Sequence, residues 1–177
     1  MDSSGSKTEC FVILYKSLVR PHVEYANTVW APRRMCDIEK IEKVQMKATK
    51  LIRSLSSRSY EERLCALELP TFGYRQLRVD MIQLYKYVNN KYDTNFILQL
   101  QYKSVLEKRY DTRGHRYKLV PQLCNYDLWK QFFVNRSVKL WNSLPDVVSV
   151  CSVNSFKRRL DLSWRGFSLY SDYKSVI

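Results

Sequence analysis

The sequence predicts an all-α fold, a helical bundle followed by a second helical module, with at most a small β element. Apolar residues recur every three or four positions in several segments, which is the spacing that lines one face of a helix. Helix-starting residues precede these segments, and proline or asparagine follows them. Apolar residues make up 45% of the 177 residues and aromatic residues 14%, which is enough to fill a core.

The first helical pattern follows a polar segment, residues 1–9, which we expect to be a disordered start. Its apolar positions begin at Phe11 and continue to Trp30. Pro21 lies inside this pattern. Because proline lacks an N–H and its ring collides with the preceding turn, we expect Pro21 to kink or split the helix.

The clearest periodicity lies in residues 37–55, where Asp37 is a suitable N-cap. At 100° per residue, seven apolar residues fill an arc of roughly 140°, which we expect to face the core. Four lysines fill a neighbouring arc of roughly 80°. The apolar set is Ile38, Ile41, Val44, Ala48, Leu51, Ile52 and Leu55, and the lysines are Lys40, Lys43, Lys47 and Lys50.

Two further helices are predicted before residue 91. Ser59 and Glu62 form an S-x-x-E capping box for a short helix that stops before Pro70. Thr71 opens a longer helix that ends near residues 89–90. We expect its inward side to hold Tyr74, Leu77, Met81, Leu84, Tyr85 and Val88, and its exposed side to include Arg75 and Arg78.

Periodicity fades over residues 91–123, which we interpret as a basic loop region. Residues 103–118 carry six basic and two acidic side chains. Residues 116–119 alternate weakly between apolar and polar side chains and are the candidate for a short strand. Tyr110 and Tyr117, which lie among these basic residues, are candidates for stacking on nucleic-acid bases.

The C-terminal module contains two predicted helices. The first covers residues 127–144 and ends before Pro145, and the second starts with Asn154 as its N-cap. We expect a core of Phe132, Phe133, Leu140, Trp141 and Leu144 from the first helix and Phe156 and Leu160 from the second. The predicted organisation is a start at 1–9, a helical bundle at 10–90, the basic loop at 91–123, a helical module at 124–164 and a tail at 165–177.

The chain is strongly basic, with 30 Lys and Arg against 17 Asp and Glu, a formal net charge of +13 and a pI near 9.6. A surplus of this size favours a polyanionic partner such as nucleic acid, although a protein can also be basic without binding one. Composition alone does not decide between these two interpretations.

The sequence contains no motif for several common kinds of catalytic site. The chain has no Asp-Asp pair, and the adjacent acids Glu61 and Glu62 belong to the capping-box turn, so nothing resembles a two-metal carboxylate site. Its four glycines form no phosphate-binding loop, and its five cysteines show no C-x-x-C or nearby histidine for zinc. A Cys–His nucleophilic pair has no local signature either. We therefore expect no cofactor in this chain.

No targeting signal is recognisable in the sequence either. No signal peptide is visible, and no run approaches the roughly 20 apolar residues of a membrane span. Five scattered cysteines fit a reducing compartment. We expect no membrane partner and a nuclear or cytoplasmic location.

The lysine row at residues 40–50 is the strongest functional signal. Lysines at helical spacing can contact successive phosphates along a duplex, which holds nucleic acid independently of its sequence. The alternative is a solvated helix face balanced by Glu39 and Glu42. Residues 33–58 contain eight basic and three acidic side chains, so local pairing cannot cancel the surplus of five. The predicted nucleic-acid-binding residues are Arg33, Arg34, Lys40, Lys43, Lys47, Lys50, Arg53, Arg113 and Arg116.

Six sequence blocks, in order along the chain, carry a family resemblance. They are LVRPHVEYANTVWAP (18–32), IEKVQMKATKLI (41–52), SYEERLCALELPTFGYRQLRVDMIQLYKYVN (59–89), TRGHRYKLVP (112–121), FFVNRSVKLWNSLP (132–145) and NSFKRRLD (154–161). Together they resemble the C-terminal part of reverse transcriptases, the RNA-directed DNA polymerases of jockey-like non-LTR retrotransposons, which are long interspersed elements.

This resemblance implies a helical thumb that grips a primer-template duplex, followed by a further helical region. It implies that Pro21, Tyr25 and Trp30 shape the first helical pair of the thumb and that the lysine row lies beside the nucleic acid. The palm of such an enzyme, with its paired aspartates and Mg²⁺, has no counterpart here, so we expect no polymerase activity from this chain alone.

The expected partners are accordingly an RNA or RNA/DNA duplex and the missing polymerase core. The alternative function is a non-enzymatic protein-interaction module, from a decayed or domesticated retrotransposon fragment. Exposed apolar surface would support this alternative.

Overall fold

The computed structural model describes residues 3–32, 34–92, 100–103, 115, 117–145, 151–164, 166, 170, 172 and 173. The predicted all-α fold is confirmed: within these residues the regular elements are helices, and β pairing is limited to one antiparallel bridge between Tyr102 and Leu119. The helices are α1 (Ser3–Leu14), α2 (Arg20–Glu24), α3 (Met35–Lys50), α4 (Tyr60–Leu67), α5 (Phe72–Val88), α6 (Asp127–Lys130), α7 (Phe133–Ser143) and α8 (Val153–Ser163).

The chain forms two compact units. Unit 1 comprises Met1–Gln76 and Gly166–Ile177, and unit 2 comprises Leu77–Arg165. The division between the units falls inside α5. The predicted bundle covers residues 10–90 and so ends at a different place; the predicted domain boundaries stay a prediction. No helix in the described part has both the length and the apolar character needed to cross a membrane.

The N-terminal helical segment begins earlier than expected and ends at Glu24, before Trp30. α1 starts at Ser3, inside the segment predicted to be disordered, because Phe11 and Val12 hold the helix against the core of unit 1 and a nucleated helix adds further residues at little cost. Before Pro21 the helix widens into a π turn over Tyr15–Val19, and the Arg20 N–H donates to the Tyr15 carbonyl. The wider turn accommodates the ring of Pro21, and α2 continues the helical path to Glu24.

The apolar core of unit 1 lies among α1, α4 and the turn that follows α3. Its buried members are Tyr15, Leu55, Leu64, Leu67 and Leu69. The predicted capping box is confirmed at α4: the Glu62 N–H donates to the Ser59 hydroxyl (3.2 Å), and the Ser59 N–H donates to the Glu62 carboxylate (2.9 Å). Thr71 starts α5 as predicted, because its hydroxyl accepts from the Tyr74 N–H (3.2 Å).

The core of unit 2 is built around aromatic rings. Tyr85 stacks on Phe156 with centroids 4.2 Å apart, and Trp141 lies beside Phe156 at 6.2 Å. These three side chains are completely buried. α7 ends at Ser143 before Pro145 as predicted, but α8 is capped by Ser152, whose hydroxyl accepts from the Ser155 N–H, rather than by Asn154.

The single predicted helix over residues 127–144 is instead two helices, α6 and α7. Two side chains of α7 bind carbonyl groups at and just after the end of α6. Asn135 Nδ2 donates to the Trp129 carbonyl (2.7 Å), and Arg136 Nη1 donates to the Gln131 carbonyl (3.0 Å). These contacts join residues six and five positions apart, so they do not follow helical periodicity.

Ion pairs hold each unit internally. In unit 1, Arg75 binds the Glu24 carboxylate in a bidentate contact. In unit 2, Arg78 binds Asp161 (2.6 and 2.8 Å), and Arg136 binds Asp80 (both contacts 2.9 Å). Arg75 and Arg78 were expected on an exposed side, but both side chains are largely covered, because each one has a carboxylate partner within its own unit.

Candidate nucleic-acid interface

Helix α3 presents a polar side to the interior of unit 1. Its buried residues are Glu42, Gln45 and Thr49, which share an arc of about 60° at 100° per residue. Polar side chains tolerate burial when their hydrogen bonds are satisfied. The contacts of these three residues therefore determine how α3 is rotated.

Each buried polar residue meets a partner from another element. Glu42 accepts from the Tyr60 hydroxyl and from the Phe72 N–H at the start of α5 (3.0 Å). Because the amide groups at the start of a helix lack intrahelical acceptors, the Glu42 carboxylate serves as a cap for α5. Burial raises the pKa of Glu42, and the hydrogen bonds from Tyr60 and Phe72 oppose this rise.

The other two buried residues extend this polar network. Gln45 accepts from the Tyr15 hydroxyl (2.9 Å) and donates to the Pro70 carbonyl (3.0 Å). Thr49 accepts from Arg63 Nε (3.2 Å). Burial, together with the Glu42 carboxylate, raises the pKa of the Tyr15 hydroxyl. The network therefore ties α3 to the π turn, to α4 and to the segment before α5.

The apolar arc predicted for this helix is only partly buried: Ala48 and Ile52 pack against the core of unit 1, but the fully buried residues of α3 are polar. Leu51 is 77% exposed and Val44 is 39% exposed, and of the seven apolar residues only Leu55 is buried. α3 also ends at Lys50 rather than at Leu55, which lies in a separate 3₁₀ turn over Arg53–Leu55. The arc is less buried than predicted because the elements facing α3 also present hydroxyl, amide and carbonyl groups, which require polar partners.

Lys40, Lys43, Lys47 and Lys50, together named the lysine face, are all exposed. The centre of their arc lies about 150° around the helix from the centre of the buried arc. At 1.5 Å per residue, they form a row about 15 Å long. Lys40 pairs with Asp37 (3.0 Å), a contact that raises the pKa of Lys40. No described carboxylate lies within 4.0 Å of the other three ammonium groups.

The alternative interpretation of the lysine face requires that Glu39 and Glu42 balance the positive charge of its lysines. Glu42 is completely buried on the opposite side of α3, where it binds Tyr60 and Phe72. Glu39 is half-buried near the edge of the lysine face. Solvent on this face therefore meets four ammonium groups with Asp37 and Glu39 as the acidic neighbours contributed by α3.

The remaining predicted binding residues are only partly described. Arg34 is exposed at the N-cap of α3, and Arg53 is exposed at the start of the 3₁₀ turn. Arg33, Arg113 and Arg116 lie outside the described residues, as does Tyr110. Tyr117 is half-buried, and its carbonyl accepts from Trp141 Nε1 (2.8 Å).

The sequence did not predict a cluster of exposed aromatic side chains in unit 2. Phe132 was expected in the core but is 46% exposed, and its neighbours Tyr126 and Trp129 are also exposed. The cause is the interruption between α6 and α7, which turns residues 126–132 away from the buried side of α7. The pattern of residues 127–144, read as one helix, gave no signal of this interruption.

The described residues contain no group of three or more His, Cys, Asp or Glu arranged to hold a metal ion. No protein-family model, curated protein or solved structure matches this chain. The lysine face is thus the main surface on which a functional proposal for unit 1 can be built.

Proposed function

We propose that this chain binds an RNA or RNA/DNA duplex through the lysine face and serves as the duplex-holding part of a retrotransposon reverse transcriptase, without polymerase activity of its own. The observation that supports this proposal most is the segregation of charge on α3. Its lysines are exposed on one side, while Glu42 is buried on the other and is engaged with Tyr60 and Phe72.

The contact we propose is electrostatic and independent of base sequence. Ammonium groups along a row of about 15 Å can each approach a phosphate of one backbone strand, and each contact releases condensed counterions. The buried network of Glu42, Gln45 and Thr49 fixes the rotation of α3, so the lysines are held on one side before the ligand arrives. A rigid helix that already presents its cations loses little conformational freedom on binding.

A second candidate function is protein interaction, which the apolar surface of unit 1 favours. Large apolar side chains are exposed on the N-terminal helical segment, on the turns after it, on α3 and at the C-cap of α3. They are Ile13, Leu14, Leu18, Tyr25, Val29, Trp30, Val44 and Leu51. Exposed apolar surface of this kind is typical of a site that another protein covers, and a polymerase core is the partner that the family resemblance suggests.

The duplex proposal is tested by fluorescence anisotropy with a labelled RNA/DNA hybrid over a salt series. The test variant carries Lys43→Gln, Lys47→Gln and Lys50→Gln, the three lysines without a described carboxylate partner. A matched control removes the same charge from α8 through Lys157→Gln, Arg158→Gln and Arg159→Gln. We expect the test variant to lower the slope of log affinity against log salt by about 2 to 3, since each phosphate contact contributes about 0.9.

The control variant should change the slope by much less than the test variant. Equal effects of the two variants would mean that the chain attracts nucleic acid only through its net charge. Absence of any binding at low salt would overturn the duplex proposal. Concentration-dependent association, measured by light scattering, would then favour the protein-interaction function.

A further inference from the structure

Unit 2 exposes three aromatic side chains within seven residues. Tyr126, Trp129 and Phe132 are 78%, 53% and 46% exposed. The rings of Trp129 and Phe132 stack, with centroids 5.4 Å apart and planes 25° apart. These three residues are named the aromatic platform. Stacking between neighbours holds two of its rings in a defined orientation while leaving flat apolar surface open to solvent.

A cationic cavity lies along the same segment. Its volume is about 480 Å³, and its lining includes three basic side chains and no Asp or Glu. Arg136 is bound to Asp80, and Lys130 contacts Asp127 at 3.3 Å, whereas Lys139 is exposed. The lining also provides amide groups, from Gln122, Gln131 and Asn135.

The charge around the cavity and the aromatic platform favours one class of ligand over another. Residues 117–145 contain four basic side chains and one acidic side chain. Lysine is depleted in the centres of protein–protein interfaces, so a cavity lined by lysines is a poor match for an apolar protein surface. Exposed aromatic rings beside cations are the combination that binds single-stranded nucleic acid, because unpaired bases stack on the rings and the backbone meets the charges.

A duplex is a poor occupant, since its bases already stack on one another and are covered by pairing. We therefore propose that unit 2 binds unpaired nucleotides of a single-stranded nucleic acid, with bases on the aromatic platform and phosphates beside Lys130 and Lys139. This site goes beyond the duplex contact proposed above. It lies in the other unit and takes a different form of nucleic acid, so either proposal can fail without the other.

The test uses anisotropy with a short labelled oligothymidylate and, in parallel, the labelled RNA/DNA hybrid. The variant Trp129→Ala/Phe132→Ala should weaken binding of the single strand about tenfold or more, the effect of losing one stacked base. Its affinity for the hybrid should stay close to that of the wild type. Leu128→Ala is the matched control, because Leu128 is 90% exposed on the same short helix but offers no ring; we expect this variant to bind as the wild type does.

A second variant tests whether Lys130 and Lys139 contact phosphates of the single strand. Lys130→Gln/Lys139→Gln should reduce the salt slope for the single strand by about 0.7 for each lost phosphate contact. Thermal unfolding of every variant establishes that unit 2 is folded. Should the alanine variant unfold, Trp129→Leu/Phe132→Leu retains apolar volume without the rings and decides the question.

Three results would overturn the proposal. The aromatic variant could bind oligothymidylate as tightly as the wild type does. Leu128→Ala could weaken binding as much as the aromatic variant, which would indicate general apolar attraction. Light scattering could show self-association that the aromatic variant abolishes while oligothymidylate binding persists, which would assign the platform to a second copy of this chain.

Discussion

Adjacent residues on α3 illustrate two different uses of charge. Glu42 is completely buried and binds the Tyr60 hydroxyl and the Phe72 amide, whereas Lys43 is exposed and has no described carboxylate partner. Both are ordinary charged residues in the sequence. Burial and hydrogen bonding separate the residue that maintains the structure from the residue available to a ligand. This difference predicts that the two faces of α3 respond differently to mutation, pH and nucleic acid.

The largest effect on stability should come from Glu42→Ala. The substitution leaves the Tyr60 hydroxyl and the Phe72 amide without their acceptor, and each buried unsatisfied group costs about 1–3 kcal/mol. We expect the free energy of unfolding to fall by about 2–5 kcal/mol in urea denaturation. Lys47→Ala on the opposite face serves as the comparison and should change stability by about 0.5 kcal/mol or less. Similar losses for both variants would contradict the assigned rotation of α3.

The pH dependence of stability should also distinguish Glu42 from the lysine face. Burial raises the pKa of Glu42 above its ordinary value of 4.5. The folded state then binds the proton more tightly than the unfolded state does. The contribution of Glu42 is therefore fully favourable below pH 4.5 and is lost as pH rises through the raised pKa.

The measurement compares urea unfolding of the wild type and Glu42→Gln from pH 4 to 8, near and above the ordinary pKa. Glutamine keeps the size of the side chain but does not titrate. The stability of the wild type relative to this variant should decline across that range as pH rises. A difference that is constant with pH, or that grows with it, would mean that Glu42 does not carry a raised pKa.

Some helix ends were predicted correctly from local chemistry, although the N-caps predicted at Asp37 and Asn154 are instead Arg34 and Ser152. The Ser59–Glu62 capping box, the start at Thr71 and the stop before Pro145 depend on local chemistry, and the structure confirms all three. Periodicity also predicted the buried residues Met81, Leu84, Tyr85 and Trp141 correctly. These elements face apolar neighbours, so the most apolar side of each helix is also its buried side.

The candidate nucleic-acid interface was predicted only in part from the sequence. The lysine face was predicted correctly as an exposed row, because lysine carries a cost of burial wherever it lies. The buried side of α3 was not predicted, because it depends on Tyr15, Tyr60, Pro70 and Phe72, which come from other elements. The aromatic platform was missed because the break that exposes Phe132 depends on Asn135 and Arg136. Polar side-chain contacts that helical periodicity does not encode decided both cases.

The last contrast concerns two leucines in the segment that follows α3. Leu51 and Leu55 belong to the same predicted apolar arc, but Leu51 is 77% exposed and Leu55 is 8% exposed. Leu55→Ala should lower the free energy of unfolding by about 2–5 kcal/mol, as for a buried leucine, and Leu51→Ala by about 0.5 kcal/mol or less. Urea denaturation of the two variants measures this contrast. Equal losses would contradict the difference in burial between Leu51 and Leu55, and with it the separate 3₁₀ turn that directs Leu55 into the core of unit 1.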